Sequence, residues 1–243
     1  MPQILIIHPY DRTTLFLNRI VKHLLSEFGT NVTFINIDPN PRSHELCLDS
    51  IRSHPDDGLL LFLGHGRSDK LFGARSDSHG KLLSNDAVAE DEDLDYFNEN
   101  FIFLDNLSVF QRKKVICLAC NSNDLIARQS IEFGARCFLG FGDIPTSEEE
   151  FKDKGVVVGD KTVAIMKGEL NHIMKHSLAI SIRNGYNFNE FKNIFCLVTN
   201  KRIASLLIES KGLKSRRTIT NFLYYLKNEI KIHGDGSLNL INN

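Results

Sequence analysis

Two short stretches carry residues that can do chemistry together. Gly64-His65-Gly66 follows the apolar run Leu59 to Leu63, and Cys120-Asn121-Ser122 follows the run Val115 to Ala119. A cysteine attacks a carbonyl as its thiolate, and an imidazole nearby can hold or take the proton. Cys120 also precedes a predicted helix, whose unpaired N–H groups and positive dipole end favour an anion. Glycines on both sides of His65 let a substrate backbone approach, and the N–H groups of Gly66 and Cys120 are candidates for an oxyanion hole. The residue types alone favour a second reading, a buried core cysteine and a histidine hydrogen-bonded at a strand end.

Three other groupings are weaker. Cys117-Leu-Ala-Cys120 has the C-x-x-C spacing, but an odd separation along a strand directs the two thiols to opposite faces, against a redox pair or half a zinc site. His172 and His176 are i, i+4 on a predicted helix, yet the run His-Ile-Met-Lys-His lacks the glutamate of a zinc-peptidase motif. Gly155 and Gly159 flank valines with no Lys-Ser or Lys-Thr after them, so a phosphate loop is not expected.

The elements that must position His65 and Cys120 are read from the apolar pattern. Runs without alternation recur at Ile4 to Ile7, Val32 to Ile37, Leu59 to Leu63, Val115 to Ala119 and Cys137 to Phe141, as in strands buried on both faces of a parallel sheet. Helical spacing lies between them. Leu17, Ile20, Val21, Leu24, Leu25 and Phe28 form one face closed by Gly29, while Leu46, Leu48 and Ile51 form a shorter one. After the fourth strand, Asn121 to Asp124 supply capping residues for a helix with Leu125, Ile126 and Ile131, ending at Gly134. Beyond Pro145 the strand signal fades. Val163, Met166, Leu170, Ile173, Met174 and Leu178 form one stripe, and Ile219, Phe222, Leu223, Leu226 and Ile230 another. The pattern predicts an α/β fold: a mostly parallel sheet layered by helices over residues 1–145, with residues 146–243 as a helical C-terminal section of the same domain. In such sheets the ligand crevice lies outside the carboxyl ends of the strands, where His8, Asp11, Asp38, His65, Cys120 and Asp143 fall.

Composition sets the outer bounds. The 243 residues are 42% hydrophobic and 24% charged, the balance of a globular chain able to bury a core, which excludes collagen, coiled coil and disorder. Lys and Arg number 29 against 30 for Asp and Glu, so no overall basic field draws in nucleic acid or an anionic membrane. No apolar run approaches the roughly 20 residues that span a bilayer, and the first strand lacks the flank of a signal peptide. A cytoplasmic protein is expected, with its 5 cysteines reduced and neither metal nor cofactor. The long connection from Arg67 to Lys114 contains an acidic block, Asp86 to Glu99, read as a solvated face or a docking or covering loop.

A strand ending in His-Gly, Leu59-Leu-Leu-Phe-Leu-Gly-His65-Gly66, followed by one ending in Ala-Cys, Val115-Ile-Cys-Leu-Ala119-Cys120, resembles the caspase-like cysteine peptidases. The runs Ala119-Cys120-Asn121-Ser122 and Phe133-Gly134-Ala135-Arg136-Cys137-Phe138-Leu139-Gly140 most resemble the CHAT branch, related to caspases and separase. The resemblance implies a caspase-like sheet and a cysteine endopeptidase with a His65–Cys120 dyad. It further implies a regulated enzyme cleaving a protein substrate, activated by a partner or signal, in a prokaryotic stress or antiphage response. The alternative is a catalytically silent caspase-like or flavodoxin-like module that binds a partner protein. Where some relatives carry an acid two positions before the nucleophile, this chain has Leu118, so the candidate acids for a basic substrate residue are Asp143 and Asp69. Arg67 and Arg75 would suit an acidic one.

Overall fold

The computed structural model describes residues 3–11, 13–74, 100–209 and 212–242. In chain order the elements begin with β1 (Ile4–Pro9), α1 (Asn18–Phe28), β2 (Val32–Ile37), α2 (Pro41–Ser53) and β3 (Leu59–Leu63). Three short strands follow, β4 (Gly66–Arg67), β5 (Lys70–Phe72) and β6 (Asn100–Ile102), then a 3-10 helix over Leu104–Phe110. The chain continues through β7 (Lys114–Leu118), α3 (Leu125–Glu132), β8 (Cys137–Gly140) and α4 (Glu148–Lys152). It ends with α5 (Asp160–Arg183), α6 (Phe188–Glu209), α7 (Arg216–Asn228) and β9 (Lys231–Gly234). The acidic block Asp86 to Glu99 and Arg75 lie outside the described residues.

The main sheet has the order β2-β1-β3-β7-β8-β9. Its first five strands are parallel and β9 runs antiparallel to β8, while β4, β5 and β6 make a small antiparallel sheet of their own. The five apolar runs are these five parallel strands; β1, β3, β7 and β8 are covered on both sides, whereas β2, at the sheet edge, buries only its end residues Val32 and Ile37, which corrects the expectation of two-sided burial for that strand. Ile4, Ile6, Leu59, Leu61, Ile116 and Leu139 pack into one core with α1, α5, α6 and α7. Leu5, Ile7, Leu60, Phe62, Val115 and Phe138 pack into the other with α2, the 3-10 helix and α3. Alternate residues of β1, β3, β7 and β8 thus leave water, on the order of 2 kcal/mol for each fully buried large aliphatic side chain.

Departures from the sequence pattern have local causes. Leu46 is 57% exposed, and α2 buries His44, Cys47 and Ile51 instead. Asp124 stands at the N-cap of α3 but makes no capping bond. Its carboxylate pairs with Arg128 at 3.0 Å, and the Ser122 hydroxyl is used elsewhere. The helical expectation beyond Pro145 has to be corrected for β9, a four-residue edge strand with only partial burial, too short to leave an apolar run. Two lysines at the start of β7 are buried: Lys113 donates to the His54 carbonyl, and Lys114 to that of Asn239 at 2.6 Å.

Register decides what the sheet can bring together. Leu63 is paired with Leu118 across β3 and β7, and the next link, Gly64 N–H to Leu118 C=O, measures 3.2 Å. His65 and Cys120 are each two residues beyond that last pair, so the two strand ends deliver them at the same level.

Buried His54 makes folding sensitive to acid. Burial, with the nearby Lys113 charge second, lowers its pKa from 6.5 to about 4. The unfolded chain therefore binds a proton between pH 6.5 and 4 that the folded chain refuses, and stability falls with pH across that window. We expect a loss on the order of 3 kcal/mol in urea unfolding between those limits. His54→Gln should flatten this part of the profile, and an unchanged slope in the variant would assign the titration to other groups.

Candidate functional site

The carboxyl ends of β1, β3, β7 and β8 form one edge of the sheet. Strand order reverses between β1 and β3, where β2 lies to one side and the rest to the other, which is where ligands bind in open α/β sheets. Cys120 sits on the turn that leaves β7, and that turn is fastened to the end of β8. The Ser122 hydroxyl, fully buried, donates to the Cys117 carbonyl at 2.8 Å and accepts from the Phe141 N–H at 3.0 Å. The backbone adds Asn121 N–H to Gly142 C=O at 2.9 Å and Asn123 N–H to Phe141 C=O at 3.1 Å. Two residues make this tight approach possible. Asn121 takes the left-handed conformation, φ +54°, which asparagine tolerates better than most. Gly140 has no side chain where a Cβ would lie 2.2 Å from the Ser122 carbonyl oxygen.

His65 is buried at the end of β3, and its neighbours come from the turn after β1. His65 Nε2 lies 2.7 Å from Thr13 Oγ1 and 3.6 Å from Asp11 Oδ1. That same carboxylate oxygen accepts from the Thr13 N–H and the Thr13 hydroxyl, both at 2.6 Å. Burial pushes the Asp11 carboxyl up, but the bonds from His65 and Thr13 and the His65 charge outweigh it, and the net shift is downward. Behind this group His8 is fully buried, bonded to Asn18 and Thr14. Asp11 was visible in the sequence only as a strand-end acid, and Thr13 not at all; their contact with His65 depends on β1 lying beside β3.

His65 and Cys120 line one narrow cleft, together with Thr14, Leu17, Ala119, Ile144, Thr146 and Leu170. The helix-dipole expectation for Cys120 has to be corrected. α3 starts only at Leu125, and burial, then the Glu150 charge, push the Cys120 thiol up to about 11. The thiol donates to the Ile144 carbonyl at 3.4 Å. Glu150 is held beside it by bonds from Thr146 and Ser147. The resting side chain is therefore a thiol, and deprotonation has to accompany any attack it makes. Cys117 belongs to the opposite core from the one that Cys120 packs against, and all five thiols are free.

The remaining predicted residues do not line the cleft. Gly66 is buried in β4, paired with Leu71, and does not line the cleft. Asp143 forms an ion pair with Lys154 and lines a neighbouring pocket with Phe151, Phe222, Tyr225 and Glu229. That pocket and the cleft share the loop after β8: Asp143 and Pro145 line one, Ile144 and Thr146 the other. Asp69, half-exposed on the β4–β5 turn, is 3.9 Å from Lys70. The Arg67 guanidinium lies 5.8 Å from the centre of the Phe72 ring. The His172 and His176 rings are 4.2 Å apart between centres and tilted by 55°, with the His23 ring 6.4 Å from that of His176. Among the described residues no group of three His, Cys, Asp or Glu side chains is arranged to hold a metal, and no helix is long and apolar enough to cross a membrane.

No family model matches the chain, and no curated protein does. The site's meaning rests on its geometry.

Ser122→Ala tests how the turn is held. It removes a donor and leaves the buried Phe141 N–H without its acceptor, so urea unfolding should show a loss of about 1–3 kcal/mol. A change below about 0.5 kcal/mol, the range of neutral surface substitutions, would show that the turn does not depend on this hydroxyl.

Proposed function

We propose that the chain is a cysteine endopeptidase of the caspase-like, CHAT-related kind, with Cys120 as nucleophile and His65 as general base and then general acid. The observation that carries this reading is the shared cleft: two residues far apart in the chain, level at neighbouring strand ends, line one opening at the carboxyl edge. In the proposed reaction a peptide carbonyl enters the cleft and Cys120 Sγ attacks its carbon as His65 takes the thiol proton. The Cys120 N–H is the proposed donor to the oxyanion, and the Gly66 N–H, outside the cleft in β4, would join it only if that strand moved. His65 then returns the proton to the departing amine, and water hydrolyses the thioester.

A regulated enzyme fits the resting state. The thiol is raised to about 11 and bonded to the Ile144 carbonyl, so catalysis requires that this bond be exchanged for one to His65. A partner protein or signal that shifts the loop from Phe141 to Glu150 would do so. A cytoplasmic enzyme of a prokaryotic stress or antiphage response is the setting the resemblance suggests. The same raised thiol favours the second reading, a catalytically silent module of this fold that binds a partner.

Cys120→Ala and His65→Ala should each abolish cleavage of a peptide library with thermal unfolding unchanged. Substantial cleavage by either variant would remove the dyad, and no cleavage by the wild type under any activating partner would favour the silent module.

The pocket at Asp143 suits a basic substrate residue, whose charge would displace Lys154 while its stem lies along Phe222 and Tyr225. Asp143→Ala should lower kcat/KM for peptides with Arg or Lys before the cut by about tenfold, the value of one charge-assisted bond. Asp69→Ala serves as the comparison. Unchanged kinetics in Asp143→Ala with a loss in Asp69→Ala would transfer the role to Asp69.

A further inference from the structure

We infer that Asp11, acting through the Thr13 hydroxyl, is the positioning residue that fixes the tautomer of His65. The inference rests on the peptidase reading for its kinetic consequence, but the hydrogen-bond chain is independent of it. A hydroxyl has one hydrogen, and that of Thr13 is given to Asp11 Oδ1 at 2.6 Å. What Thr13 Oγ1 presents to His65 Nε2, 2.7 Å away, is a lone pair. Nε2 must therefore carry hydrogen, and Nδ1 is the nitrogen with the lone pair that takes a proton. The direction of the whole chain is set at its far end by a group that can only accept.

Two further facts keep Asp11 in that role. Its carboxylate is buried and receives the Thr13 backbone N–H as well as the hydroxyl, so two donors converge on one oxygen, with the His65 ring 3.6 Å away. These donors hold the carboxyl below its ordinary range against the opposing effect of burial, and it stays ionised at neutral pH. The charged neighbour on the other side is Lys167 of α5, whose ammonium lies 3.5 Å from the Thr13 carbonyl and also favours the anion. An ionised Asp11 further stabilises the imidazolium formed when His65 takes the thiol proton, as a buried carboxylate does in serine peptidase triads.

Asp11→Ala is the sharpest variant because it removes the acceptor that orients the chain. The Thr13 hydroxyl would then be free to turn and donate to Nε2, and the Nδ1–H tautomer, which has no lone pair to offer at that nitrogen, would become populated. Asp11→Asn keeps an accepting oxygen where the Thr13 N–H and hydroxyl both bond, so it keeps the tautomer while removing the charge. Thr13→Val cuts the bridge, while Thr13→Ser restores a hydroxyl. The experiment is 15N-edited NMR of the His65 imidazole in full-length wild type, Asp11→Ala, Asp11→Asn, Thr13→Val and Thr13→Ser, alongside peptide cleavage kinetics.

The wild type, Asp11→Asn and Thr13→Ser should show the Nε2–H tautomer, and Asp11→Ala a mixture with the Nδ1–H form. kcat should fall by about 10²-fold or more in Asp11→Ala and Thr13→Val, with KM nearly constant, and recover in Thr13→Ser. An Nδ1–H tautomer in the wild type, or a tautomer that Asp11→Ala leaves unchanged, overturns the inference. If the tautomer shifts as stated while Cys120→Ala cleaves like the wild type, the peptidase reading fails and the positioning of His65 stands.

Discussion

One buried hydroxyl governs the geometry of the cleft. Ser122 Oγ stands between the ends of β7 and β8, giving its hydrogen to Cys117 C=O and receiving that of Phe141 N–H. In a parallel sheet the strands diverge into separate connections at their carboxyl ends, so nothing in the ladder itself holds the outgoing chains together. Ser122 closes that gap with an interaction that cannot be exchanged for water, because the residue is fully buried. The left-handed Asn121 and the side-chain-free Gly140 are what this closure demands of its neighbours. The Cys120 thiol is thereby placed by the core and not by a loose loop.

Around this fixed turn the protein keeps two acids in opposite states. Asp11 meets only donors and remains ionised, whereas Cys120 meets a carbonyl and the charge of Glu150 and remains a thiol. Burial alone would protonate both. The difference comes from which backbone and side-chain atoms face each group, and those atoms belong to different loops: the turn after β1 for Asp11, the segment after β8 for Cys120. A displacement of the second leaves the first untouched, so the histidine can stay organised while the thiol's surroundings change.

How much of this could be read from the sequence follows from range. Four strands were legible because burial on both faces forces unbroken runs such as Leu59 to Leu63, β2 because Val32, Phe34, Ile35 and Ile37 still cluster at the sheet edge, and the stripes of α5 and α7 because each helix presents one face to the core. The pair His65 and Cys120 followed from strand ends alone. β9 was not legible: half-exposed at the sheet edge, Lys231 to Gly234 has no apolar pattern to betray it. α6 has buried Phe188, Phe191 and Phe195 but also exposed Leu197 and Ile208, so its apolar residues do not mark a single face. The link from Thr13 to His65 was out of reach for another reason. It depends on β1 and β3 becoming neighbours while β2 moves outside, and no local spacing encodes which strands are adjacent.

The placement of β9 has a consequence for how the protein acquires its shape. β8 is made before α4 to α7, and its outer edge is covered only when β9, at the far side of those helices, returns to pair with it antiparallel. Contacts of such long sequence separation form slowly, since the entropy of closing the intervening chain is lost before the ladder bonds are gained. Throughout that interval Cys137 to Gly140 presents an open, wholly apolar strand edge, the kind of surface on which nascent chains associate. Overproduction should therefore be limited at this step of maturation, and a chaperone that shields an extended hydrophobic segment would act here before anywhere else in the molecule.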